Sequence, residues 1–152
     1  MLLGMLEIYG QLVLATVLGA LVGLERNLSR KEAGLRTFAL VSLGSALFTI
    51  ISVLALEEFS APSFDVSRIP SQIVIGVGFI GAGLIIFHGS HLRGLTTAAG
   101  LWAASAIGMA VGFKFYSLAV FTTILVVLVF IVFWLVENRI TKKLASALPK
   151  KE

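Results

Sequence analysis

GVGFIGAGLIIFHGSHLRGLTTAAGLW, residues 76–102, decides how this chain folds. It joins a glycine-laden apolar run to a short polar turn holding His88, His91 and Arg93, and then to a second run of small residues. In water, each glycine inside a helix costs roughly 1 kcal/mol relative to alanine. In lipid, small residues let helix backbones approach one another and pack. The stretch therefore reads as the packing centre of a small polytopic membrane protein.

The surrounding composition agrees. Of the 152 residues, 58% are hydrophobic and 13% charged, with a mean hydropathy of +1.02. Soluble domains carry about 25% charged residues, so this chain lacks the polar atoms to coat a water-facing surface. The length fits one domain, and the absence of cysteine excludes disulfide and thiol chemistry. The net charge of +4 would hint at nucleic acid in a soluble protein. In a membrane protein its distribution matters more, and no nucleic-acid partner is expected.

Outward from the centre, apolar spans fall at residues 8–24, 37–56, 73–87, 95–112 and 116–136. The third, at 15 residues, is short, since crossing a hydrocarbon core takes roughly 17 residues or more. The N-terminus carries Glu7 and no basic cluster, which marks a retained helix rather than a signal peptide. Ten Lys and Arg residues lie on the side of the 25–36 loop, the His88–Gly94 turn and the C-terminal tail, against Arg68 and Lys114 on the other. Positive charge accumulates on the cytoplasmic side. The expected fold is thus all-α, five transmembrane helices, with the N-terminus outside and the C-terminus cytoplasmic. Residues 1–136 form the membrane domain and residues 137–152 a basic tail. Tyr116 and Trp134, near the two ends of the fifth span, fit an aromatic belt.

Glycine separates the spans. Gly76, Gly78, Gly81 and Gly83 lie in the third, Gly100, Gly108 and Gly112 in the fourth, and Gly19 and Gly23 in the first at GxxxG spacing. The fifth has none, so it belongs on the periphery, with the first four as the compact core. The expected packing glycines are Gly19, Gly23, Gly34, Gly76, Gly78, Gly81, Gly83 and Gly94; Gly78→Leu or Gly81→Leu should disrupt the fold, and Val127→Leu should not. The chain also repeats at an offset of 60, GLRTFALVSLGSA at residues 34–46 matching GLTTAAGLWAASA at 94–106. Duplicated hairpins of this kind, entering from the same side, are parallel repeats about an axis along the membrane normal.

Motifs that would carry soluble-enzyme chemistry are missing their context. Gly76-x-Gly78-x-x-Gly81 spells a dinucleotide fingerprint but lies in an apolar span with no βαβ unit. His88 and His91 lack the cysteine or carboxylate partners of a metal site. Glu57, Glu58 and Asp65 form a solvated acidic loop. No cofactor, no metal and no enzymatic machinery are expected. The candidate functional residues are a polar cluster at the cytoplasmic boundary: Glu25, Arg26, Arg36, Thr37, Arg93, Thr96 and Thr97. Within it a Glu25–Arg36 pair is expected to lock the first hairpin.

GLERNLSRKEAGLRTFALVSLGSALF, SQIVIGVGFIGAG and LRGLTTAAGLWAASAIG resemble the signature blocks of the MgtC/SapB family of bacterial inner-membrane proteins, over roughly residues 12–112. The resemblance implies about five spans, a multi-pass inner-membrane location, and a role in adaptation to low magnesium. It implies a regulator bound to another membrane complex, with the rotary ATP synthase as partner alongside membrane lipid, and is compatible with a homo-oligomer. The alternative is a small transporter or channel for Mg²⁺ or another cation. The family pattern falls on Glu25, Arg26, Gly34, Leu35, Arg36, Thr37, Gly78, Gly81, Gly83, Arg93, Gly94 and Thr97. Thr96 stands where the family has asparagine, and His88 where it has glutamate. A cytoplasmic ACT-like domain follows the last span in the family; this chain stops at Glu152, as a short member or a truncation would.

Overall fold

A computed structural model describes residues 2–59, 65–88 and 91–147. It holds five helices and one strand pair: α1 (Leu2–Leu28), α2 (Leu35–Phe59), α3 (Arg68–Leu84), β1 (Ile86–His88), β2 (His91–Arg93), α4 (Leu95–Gly112) and α5 (Tyr116–Ala147). Helices α1, α2, α4 and α5 are each long and apolar enough to cross a membrane, and α3 is a shorter apolar helix of 17 residues.

Helices α1 and α2 run past both ends of their expected spans, 8–24 and 37–56, and the third and fifth spans differ as well. The third span begins earlier and ends earlier than residues 73–87. Its start is set by Asp65, whose carboxylate accepts hydrogen bonds from the Ser67 backbone N–H and hydroxyl. Pro70 then falls in the first turn, where a missing N–H costs nothing. Its end is set by Ile85, which turns extended at φ −86°, ψ 105°. The apolar run continues, but Ile85 and Ile86 are β-branched, and the chain enters an antiparallel hairpin pairing Ile86 with Arg93, Phe87 with Leu92 and His88 with His91. The expected all-α fold therefore carries one short two-stranded ribbon. At the other end of the chain α5 runs on to Ala147, so residues 137–147 are helical; the last five residues lie outside the described ones.

Packing centres on α2 and α4. Gly100 lies against Phe38, Gly108 against Ser42, and Gly112 against Ala46 and Thr49. The two sets of numbers rise together, so α2 and α4 run parallel, side by side. They begin at Leu35 and Leu95, the offset of 60 seen in the sequence. Helix α1 lies antiparallel on α2: a methyl group at Gly19 would come 2.6 Å from Phe38 O, and one at Gly23 would come 2.7 Å from Leu35 Cα. Gly19 and Gly23 are packing notches, as expected.

The glycines of α3 are not. A methyl group at Gly76, Gly78 or Gly83 would meet nothing within 4 Å, and at Gly81 it would make an ordinary 3.5 Å contact with Ala98 Cβ. Gly34, in the connection between α1 and α2, faces the Asn27 side chain at the end of α1. The reason is position: α3 sits at the edge of the bundle on α4 and α2, burying only Pro70, Ile73, Val77 and Gly81. Gly94 has a different role. It takes the left-handed conformation (φ 88°) that ends the hairpin and starts α4, with the Leu84 carbonyl where a side chain would be. Helix α5 packs on α4 and α1 and leaves most of its surface exposed, consistent with its lack of glycine.

Candidate functional site

The ends of α1 and α4 share a device. Lys31 N–H bonds to Arg26 O and Phe115 N–H to Ala110 O, with Arg30 (φ 52°) and Lys114 (φ 64°) left-handed between. These are Schellman closures built on a basic residue instead of glycine. At α1 the closure brings the polar residues of the 25–36 segment against the bundle; at α4 it brings Lys114 within 2.9 Å of Glu7.

The expected polar cluster divides into three groups. In the first, Arg26 is buried (3% exposed), is ion-paired with its neighbour Glu25, and lays its guanidinium 3.6 Å from the centre of the Phe130 ring on α5. Glu25 also accepts a bond from the Ser29 hydroxyl at 2.8 Å. The expected Glu25–Arg36 pair does not form; Glu25 turns along its own helix because the helix end places Arg26 and Ser29 within reach. Arg26 is the one charged side chain buried among the described residues.

In the second group, the buried Thr97 hydroxyl donates to Glu32 at 3.1 Å, joining the α1–α2 loop to the first turn of α4. The Glu32 carboxyl is held below its ordinary value of 4.5, first by a backbone N–H of its own residue, then by Thr97, Lys31 and Arg93. A depressed carboxyl stabilises the fold above its unfolded-state pKa, and that contribution is lost as pH falls through the folded-state value. The melting temperature of the purified protein should therefore fall more steeply on acidification than that of Glu32→Gln. Thr97→Val should cost about 1 kcal/mol at neutral pH.

In the third group, Arg36 and Thr37 open α2 and line a groove between α2 and α3. Arg36 is exposed and Thr37 half-buried. Thr96 and Arg93 are exposed beside Thr97, at the start of α4 and the end of β2. His91 pairs across the ribbon from His88. No group of three or more His, Cys, Asp or Glu side chains converges among the described residues.

Sequence reasoning missed Glu32, Phe130 and Gln11. The buried Gln11 amide on α1 donates to Val111 O at 2.8 Å and Gly112 O at 3.3 Å, joining the Lys114 N–H that Val111 O already accepts at the end of α4. Gln11 was visible as an amide in the middle of an apolar span. Phe130 carried no signal, because α5 is rich in bulky residues throughout.

The profile of the MgtC family matches residues 12–139, which reaches through the four helices of the core into α5. Among curated proteins, the chain is 42% identical over 139 residues to the Escherichia coli K12 protein named "Putative magnesium transporter YhiD", covering 88% of this chain and 63% of that protein. It is 39% identical over 140 residues to SapB of Bacillus subtilis, covering 87% and 59%. It is 42% identical over 115 residues to MgtC of Brucella abortus, covering 76% and 46%. The chain thus spans about half to under two thirds of the length of these relatives. No solved structure matches it. With a family profile over most of its length and relatives of this identity, the chain belongs to the MgtC family.

Proposed function

We propose that this protein is a non-enzymatic regulator of the bacterial inner membrane that binds another membrane protein and serves adaptation to low magnesium. One observation carries the choice over a cation carrier. Apart from Arg26 in the last turn of α1, the buried polar side chains of the helices are neutral among the described residues: Gln11, Ser42, Ser45, Thr49, Ser52, Thr97, Ser105 and Thr123. Most are spent on the protein's own backbone, as when Thr49 donates to Ser45 O and Gln11 to Val111 O. Carriers keep ionisable groups along the substrate path, and the charges here stand at the helix ends.

The partner implied by the family resemblance is the rotary ATP synthase. The exposed residues of the cytoplasmic boundary, Arg93 and Thr96, are the contact side chains in this reading. Arg93→Ala and Thr96→Ala should therefore lower growth under magnesium limitation while the protein accumulates normally in the membrane. Normal growth of both variants sinks the assignment of this surface. The orientation is tested with a reporter active only in the cytoplasm: fusions after Arg30 and Lys143 should be active and one after Ser63, a position outside the described residues, silent.

A further inference from the structure

Helices α2 and α3 diverge enough to leave an apolar groove of about 790 Å³. Its walls are Leu40 and Phe48 from α2 and Ile73 and Ile80 from α3, and Arg36 stands at one end. Gly44 and Gly76 lie in opposite walls, and a methyl group on either would meet no protein atom within 4 Å. These glycines therefore do not hold the two helices together. They keep a channel between the helices clear.

We propose that this groove is a binding site for an anionic phospholipid, one acyl chain lying along the α2–α3 cleft and the phosphate on Arg36. Length supports the fit. The α2 wall runs from Arg36 to Phe48, which at 1.5 Å per residue is about 18 Å. One leaflet, half of a hydrocarbon core of about 30 Å, has a depth of about 15 Å. Measured from Arg36 the wall is about 3 Å longer than one leaflet is deep, so a chain that enters at that end and follows the wall reaches about the bilayer midplane.

Charge then selects the occupant. Arg36 is exposed and forms no ion pair among the described residues. A guanidinium matches the fork of phosphate oxygens, and the Thr37 hydroxyl beside it lines the same end of the groove. On the orientation proposed above, that end faces the cytoplasmic leaflet, where anionic lipids concentrate. A helix from a second copy is the weaker occupant, because the nearby carboxylates it would bring are already engaged, Glu25 by Arg26 and Glu32 by Thr97.

The test is thermal unfolding and native mass spectrometry of the full chain in detergent, titrated separately with phosphatidylglycerol, phosphatidylcholine and soluble glycerol phosphate. Phosphatidylglycerol should raise the melting temperature well above the shift given by phosphatidylcholine, and glycerol phosphate should give none. Arg36→Ala should weaken phosphatidylglycerol binding by at least about tenfold, the loss of one charge-assisted contact, with the lipid-free melting temperature near that of the parent. Gly76→Leu and Gly44→Leu, which fill the groove from opposite walls, should each abolish retention of the lipid; either variant that folds serves. Equal shifts from the two lipids, a shift from glycerol phosphate alone, or parental binding in Arg36→Ala or in a folded groove-filling variant would overturn the proposal. So would loss of a dimer, rather than of lipid, on filling the groove.

Discussion

Gly108→Leu is expected to remove the protein from the membrane almost completely, while Gly78→Leu leaves its abundance close to that of the parent. Gly108 lies where α4 crosses α2, and its missing side chain leaves room for the Ser42 carbonyl, carbon and Cα. Those are backbone atoms in the middle of a helix, so no rotamer change can yield. Even Gly108→Ala forces the two helices apart. Overpacking a tight core typically costs 1–3 kcal/mol, and leucine against immobile backbone belongs at or above the top of that range. The separation would also spread to Gly100 and Gly112, which sit on the same α2 face. Gly78 points into open space. The check is immunoblotting of membrane fractions with the melting temperature of whatever can be purified. Equal abundance of the two variants would remove α2–α4 contact as the centre of the fold.

The second large effect concerns Arg26. Its guanidinium is held by Glu25 on its own helix and by the Phe130 ring on α5, with 4% of the side chain exposed. Glu25→Ala leaves that charge buried without its counter-ion, which should cost about 3 kcal/mol, the low end for a broken buried pair. The low end applies because the Glu25 side chain keeps 14% exposure at a helix terminus. Arg26→Ala gives up both partners, and Phe130→Leu should lose about 1 kcal/mol of cation–π attraction beyond packing. Glu25→Ala and Arg26→Ala should combine to much less than their sum, because the first loss is the exposure of a charge that the second removes. Glu25→Ala and Arg36→Ala should simply add, since Arg36 lies apart in the α2–α3 groove. Melting temperatures of the singles and doubles in one detergent decide it. Coupling of Glu25 to Arg36 instead of Arg26 would reject this arrangement.

These two cases show what could be read from residues alone. Five apolar segments in order follow from hydropathy, because lipid demands long runs without charge, and five helices form. The GxxxG pair Gly19 and Gly23 was legible for the same reason: i, i+4 spacing puts both notches on one face whatever the partner. Gly76 and Gly78 could not be judged that way. Residues two apart lie on opposite sides of a helix, and only the edge position of α3 decides that neither is packed. The ribbon at residues 86–93 was hidden because Ile86 and Phe87 count as apolar whether helical or extended. The residues of the expected polar cluster lie at the ends of four different elements, and the expected Glu25–Arg36 pair does not form. From sequence Glu25 was expected to meet Arg36 across the hairpin, whereas it meets Arg26, its neighbour on the same helix. Glu32 was overlooked because an acid in a basic loop reads as solvated until Thr97 is placed beside it.

The regulator reading and the carrier reading part most sharply in purified protein. Proteoliposomes holding only this chain, loaded with a Mg²⁺-sensitive dye and given an inward Mg²⁺ gradient with and without a membrane potential, isolate its own activity from any partner. Neutral polar groups along the helices, most of them bonded to the protein's own backbone, predict uptake equal to that of protein-free vesicles under both conditions. Saturable uptake that scales with the amount of protein and is lost in Gln11→Leu or Thr49→Val would contradict the account and make the chain a carrier.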